Sequence, residues 1–185
     1  MGAKPFDPRR LDVAAFAEKS GGLQGEIALS SLPRLAESLS PEPGDDGADA
    51  PVCWSARGER RLHRGAAQTW LLLQAGASVS LTCQRCLQPV RVPLAVDCRY
   101  RFVADEATAA QDDAEAEEDV LVLTRALDLP SLIEDELLLA LPLVPRHPDR
   151  CPQPLSVPDD TPEAPQDTRR PFEALAGLKV RKAVN

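Results

Sequence analysis

The chain has 185 residues, 43% of them hydrophobic, with 18 prolines, 4% aromatics and a formal net charge of −8. This composition builds one modest core with Pro-rich connections, and no apolar run approaches the roughly 20 residues that cross a bilayer. Five cysteines, an odd number behind an amino terminus with no apolar signal core, argue against a secreted disulfide framework and for reduced thiols or a metal site in the cytoplasm.

In chain order, Asp7-Pro8 reads as a helix cap and first turn, and Leu11, Ala14, Ala15 and Phe16 continue a helix that Gly21-Gly22 stops. A short strand at Glu26 to Leu29 follows. Ser31-Leu32-Pro33 then opens a second helix with Leu32, Leu35 and Leu39 at helical spacing. An acidic, Pro/Gly-rich loop at 41–50 ends this module. From Pro51 the period becomes two. Val52, Trp54 and Ala56 form one strand, Gln68 to Gln74 another, and Val79, Leu81 and Cys83 a third. The clearest strand sets Val90, Val92, Leu94, Val96, Cys98, Tyr100 and Phe102 in strict alternation with polar or small residues, and Pro93 puts it at an edge or a bulge.

A second acidic loop occupies 105–119. Val120 to Leu123 reads as a further strand, and Asp128 caps a helix from about Leu129 to Leu141 whose Leu132, Ile133, Leu137, Ala140 and Leu141 pack on the sheet. Glu134-Asp135-Glu136 is expected on its solvated side, near the positive end of the helix dipole. Pro142 and Pro145 end the helix and leave His147 to Cys151 in an extended loop. The fold class is therefore α+β: an antiparallel β-meander or partly closed sheet with a few short helices, flexible acidic linkers and a C-terminal tail. The domain reading is one folded unit over 1–151, a flexible linker over 152–168, and a short amphipathic docking helix with a basic tail over 169–185. Phe172, Leu175 and Leu178 share one side of that helix.

Two features carry chemistry. Cys83-Gln84-Arg85-Cys86 places two sulfurs within reach of one tetrahedral ion, and His147 with Cys151 completes a Cys3His set suited to zinc. The plain alternative, two reduced thiols in a tight turn with His147 and Cys151 merely on the surface, stays open. Cys98 falls on the apolar side of its strand and reads as core. A redox role needs the first cysteine at a helix start, whereas Pro89 and a strand follow Cys86 here. His63 reads as an exposed hairpin residue. No phosphate-binding loop, nucleophile elbow or paired-histidine helix is present in the sequence, so the expectation is a protein that is not an enzyme.

The second feature is charge placement. Residues 41–50, 105–119 and 152–168 hold 16 of the 29 acids and no Lys or Arg, which leaves 13 acids against 21 bases, a net of +8, in the rest of the chain. Arg57, Arg60, Arg61 and Arg64 gather about a hairpin, and Arg85, Arg91, Arg99 and Arg101 lie on or beside the cysteine turn. Such a set suits salt-sensitive, sequence-blind contact with RNA phosphates.

The run Cys83 to Cys86, then Asp135-Glu136-Leu137-Leu138-Leu139-Ala140-Leu141-Pro142-Leu143-Val144-Pro145 with His147 and Cys151, then Pro171-Phe172-Glu173-Ala174-Leu175 to Leu178-Lys179, resembles the YceD family of large ribosomal RNA subunit accumulation proteins. The resemblance implies a cytoplasmic ribosome biogenesis factor needed for accumulation or processing of 23S ribosomal RNA, with no established catalytic residues. It implies large-subunit ribosomal RNA or a pre-ribosomal particle as partner. Because the family's gene commonly neighbours that of a small large-subunit ribosomal protein, the alternative is a zinc-stapled adaptor or escort for such a basic protein. A thiol oxidoreductase is the third reading.

Overall fold

The computed structural model describes residues 6–40, 51–63, 65–113 and 116–152. All of them lie in the first of two units, Met1–Pro154; the second, Leu155–Asn185, is outside the described residues, and with it the docking helix of Phe172, Leu175 and Leu178. The acidic loop 41–50 and Arg64 are outside them too.

Period-two patterning produces five strands: β1 (Gly22–Ala28), β2 (Pro51–His63), β3 (Ala66–Thr82), β4 (Pro89–Val103) and β5 (Asp119–Val122). They form one open sheet in the order β1-β2-β3-β4-β5. The first three pairings are antiparallel, as the meander requires. The two expected strands at Gln68–Gln74 and Val79–Cys83 are one continuous β3, because Ala75, Gly76 and Ala77 keep pairing with Val96, Ala95 and Leu94. Pro93 sits where β4 has β3 on one side only, since β5 pairs with Tyr100–Val103 alone. A strand with one open side can place a proline nitrogen where no ladder bond is needed.

Two expectations change in the acidic stretch. Residues Glu106–Asp113 fold as a helix, α3, rather than a flexible linker; Asp105 caps it through the Thr108 N–H at 2.9 Å, a bond that holds the Asp105 carboxyl below its usual range. This helix returns the chain to the far end of β4, so β5 pairs with β4 in parallel and the meander ends there.

The other helices, α1 (Val13–Glu18), α2 (Pro33–Glu37) and α4 (Leu129–Leu139), join the sheet in one core. The expected first helix is broken: Asp7 caps a 3-10 turn at Pro8–Arg10, Asp12 caps α1, and Leu11 between them exchanges two backbone hydrogen bonds with Leu127 at 2.8 and 2.9 Å. That bridge fixes the amino-terminal segment to the residue just before the α4 cap, Asp128. The strand after α1 also starts earlier than expected, at Gly22. Phe16, Val52, Leu71, Leu73, Tyr100, Ile133 and Leu137 are buried between helices and sheet. Gly58 is required where α1 crosses β2, because a Cβ there would lie 2.8 Å from the Ala17 backbone nitrogen.

The acids of α4 are not a solvated face. Glu134 is only 5% exposed. Its Oε1 accepts the backbone N–H groups of Arg34 and Leu35 at 2.7 and 3.1 Å, and its Oε2 accepts the Arg34 guanidinium at 2.9 Å. Helix α2 has no side-chain cap of its own, so a carboxylate from a hundred residues away supplies it. Glu136 accepts the Tyr100 hydroxyl at 2.6 Å and the Cys98 thiol at 3.1 Å, clasping α4 to β4. Burial, with the Glu136 contact, pushes the Cys98 thiol up to about 11 and the Tyr100 phenol well above its ordinary value.

Candidate metal centre and arginine surfaces

Strand β3 runs directly into Cys83, and the turn Cys83–Gln88 leads into β4, so the cysteine pair occupies a rigid hairpin end. The Cys83 N–H donates to the Gln88 carbonyl and the Leu87 N–H to the Cys83 carbonyl, both at 2.9 Å. Leu87 has a φ of 60°, the left-handed conformation that favours glycine. From the other side, α4 ends at Ala140 and the proline-punctuated segment brings Pro145 to the turn, where its carbonyl accepts the Gln84 N–H at 2.9 Å.

That contact delivers His147 and Cys151. The ligand atoms of Cys83, Cys86, His147 and Cys151 all lie within 4.8 Å of one another. The Cys83 and Cys151 sulfurs are 4.0 Å apart, and the Cys86 sulfur is 3.6 Å from His147 Nδ1. A tetrahedral zinc ion spaces two sulfurs about 3.8 Å apart, and a sulfur and an imidazole nitrogen about 3.5 Å apart. The separations and the soft donor set both fit the ion.

Electrostatics agree with the geometry. Burial works against a thiolate at Cys83, but the backbone N–H groups of Arg85, His147 and Cys86, together with the His147 ring, hold its pKa down at about 5. Burial and the facing sulfurs of Cys86 and Cys83 push Cys151 up to about 11. One site thus prepares one thiolate and opposes another, a conflict that a cation among the sulfurs relieves. Cys98 lies apart at the core edge, and Cys53 is exposed on the sheet.

The expected arginine face divides into several environments. The sheet's outer face, opposite α1, α2 and α4, carries Arg57 and Arg99 at register positions flanking Leu72; both are exposed and lack an ion-pair partner among the described residues. Arg61 lies on the same face over the Trp70 ring at 4.6 Å and pairs with Glu59 at 2.8 Å. Arg91 is exposed there as well. Arg60 is on the opposite side, where it reaches the buried Thr69. Period two alone places Arg57 and Arg60 on different faces, a signal the sequence contained.

Arg101 corrects the expectation of an exposed RNA contact. It is 8% exposed, and its guanidinium is held by Glu118 at 2.6 Å and Asp112 at 2.7 Å. The acidic stretch partly neutralises it from α3 and the turn before β5. Arg85 projects from the cysteine turn and is exposed. Two further exposed arginines, Arg146 and Arg150, were not singled out by charge clustering, although each immediately precedes a metal-ligand candidate. Among the described residues no helix is long and apolar enough to cross a membrane.

Comparison with known proteins gives the family. A protein of Haemophilus influenzae named large ribosomal RNA subunit accumulation protein YceD is 34% identical over 184 residues, spanning 94% of this chain and 97% of that protein. No solved structure matches the chain. The family profile described as large ribosomal RNA subunit accumulation protein YceD matches residues 71–179, from within β3 through the candidate metal ligands and beyond them. On both grounds the chain belongs to the YceD family.

Proposed function

We propose that this chain is a non-catalytic ribosome biogenesis factor that supports the accumulation of large-subunit ribosomal RNA. In this reading zinc binds Cys83, Cys86, His147 and Cys151, and RNA phosphates meet the open face of the sheet. The family name supports the process. The observation that carries the physical reading is the convergence of four protein ligands on one point. Four protein ligands leave a tetrahedral ion no open position for water or substrate, which is the arrangement of structural zinc. Arg57 and Arg99 support the RNA contact: strands hold them at fixed spacing, and neither is in an ion pair with a described carboxylate, the nearby Asp97 being bonded to Gln74.

The test is a deletion strain profiled for ribosomal particles and large-subunit RNA. Wild-type chain restores the large subunit, whereas Cys83→Ser and Arg57→Ala/Arg99→Ala restore it incompletely. Full rescue by both variants would sink the reading. Co-purification with a basic large-subunit protein, without measurable RNA affinity at low salt, would instead favour the escort role.

A further inference from the structure

We propose that the lobe closed by the metal centre is a second RNA-contacting surface, formed by Arg85, Arg146 and Arg150 and assembled only when the ion is bound. The inference rests on the reading that zinc fills this site and that RNA is the partner.

Chain geometry supplies the first argument. Arg85 lies between Cys83 and Cys86, Arg146 precedes His147 and Arg150 precedes Cys151. Consecutive α-carbons are about 3.8 Å apart, so each arginine is one or two residues from a ligand. Because the ligand atoms converge within 4.8 Å, the backbone positions of three arginines from two distant chain segments are drawn to the rim of one centre, each within reach of it by its side-chain length. All three are exposed, and none has a carboxylate partner among the described residues. The lobe has one acid of its own, Asp149, against three arginines.

The second argument is the character of the margin. Leu87 is 61% exposed, Val144 50% and Leu143 100%. An apolar margin beside unpaired guanidiniums suits a single-stranded segment, whose phosphates take the arginines and whose unstacked bases cover the apolar side chains. The third argument is how the two halves are joined. Besides the ligand side chains, the loop is joined to the turn among the described residues by the Gln84 N–H on the Pro145 carbonyl and the His147 N–H on the Cys83 sulfur, two hydrogen bonds that hold it far less firmly than a strand ladder. Loss of the ion leaves Arg146 and Arg150 tied to Arg85 by these few contacts alone in this reading, whereas Arg57 and Arg99 keep their places in a continuous ladder.

The test uses the full chain, zinc-loaded or treated with a chelator, titrated with a single-stranded large-subunit ribosomal RNA fragment at 50 and 200 mM salt. Each lost phosphate contact lowers the salt slope by about 0.7, so R146A/R150A should lose about 7-fold less affinity across that range than wild type. Chelated wild type should show a reduction at least as large, and chelation should change R146A/R150A far less than it changes wild type. R146K/R150K should recover most of the slope, because the contact counts charge. R57A/R99A should lose its own share with or without the ion.

A salt slope in R146A/R150A equal to that of wild type, with R57A/R99A weakened, would overturn this inference and leave the proposed function standing. So would chelation acting equally on wild type and R146A/R150A, or loss of the strand signal in circular dichroism on chelation. Zinc-loaded wild type with no RNA affinity would remove the RNA reading and this surface together. Retention of an acidic polypeptide in place of RNA, abolished in R146A/R150A, would reassign the surface to a protein partner.

Discussion

The sheet and the metal lobe are adjacent in the chain but are held together by different physics. The sheet's inner face buries Leu71, Leu73, Val79, Leu81 and Tyr100 against helices, so its cohesion is spread over many apolar contacts. The lobe leaves Leu87, Leu143 and Val144 in solvent and buries chiefly Cys83 and Cys86. Cys83 and Cys86 end the core cluster and Leu141 and Cys151 pack against it, so what would set the lobe apart is an ion held by its four candidate ligands. A core of the first kind tolerates damage in proportion to the volume removed, whereas under the proposed zinc reading the lobe is ordered or loosened with its ion.

Removing the ion tests that contrast most strongly. With free zinc at 1,000 times its dissociation constant the bound state gains about 4 kcal/mol, so chelation should lower Tm by about 10 °C. Hydrogen exchange should accelerate at 83–88 and 142–152 while β2, β3 and β4 stay protected. Acceleration across the strands as well would mean that the lobe is integral to the core. Ile133→Ala should produce the opposite pattern. Deleting that fully buried side chain costs about 3 kcal/mol, read in a urea midpoint, with zinc stoichiometry unchanged in the folded fraction.

A smaller effect is expected at the α2–α4 contact. Glu134→Ala strips the cap from Arg34 N–H and Leu35 N–H and should cost about 2 kcal/mol by denaturant titration. At the α4–β4 clasp, Cys98 has its folded pKa raised from 9.0 to about 11. The unfolded chain therefore loses its proton first, and stability present below pH about 9 is lost as pH rises towards about 11. A urea midpoint that falls between pH 8 and pH 10.5, less steeply in Cys98→Ala, is the expected outcome. Least of all, Leu87→Gly should stabilise the lobe by about 1 kcal/mol, since glycine accepts a φ of 60° without a Cβ clash. That gain should appear as slower zinc release, with the core unchanged.

Alternation in Val90 to Phe102 was enough to read β4, its buried face and the edge character of Pro93, because a strand's periodicity is local. The Asp128 cap and the proline end of α4 were equally local, and the Ser131 N–H at 3.1 Å from Asp128 matches the cap. The ligand set could be nominated from Cys-x-x-Cys and a His-Cys loop. Its convergence could not, since that depends on α4 crossing the sheet and on one backbone bond from Gln84 to Pro145. Arg101 shows the opposite limit. Its strand position predicted the correct face, yet α3 folded over the sheet edge and buried it between Asp112 and Glu118.

Period, caps and breakers therefore set the strands, the helix ends and the donor inventory of this chain, because each is decided within a few residues by backbone sterics and side-chain burial. Tertiary structure alone decided the parallel β5, the Glu134 cap on α2, the separation of arginines into free and neutralised sets, and the meeting of Cys83 and Cys86 with His147 and Cys151. Each of those joins segments far apart in sequence, and their pairing is selected by the packing of whole elements rather than by any preference of the residues that finally touch.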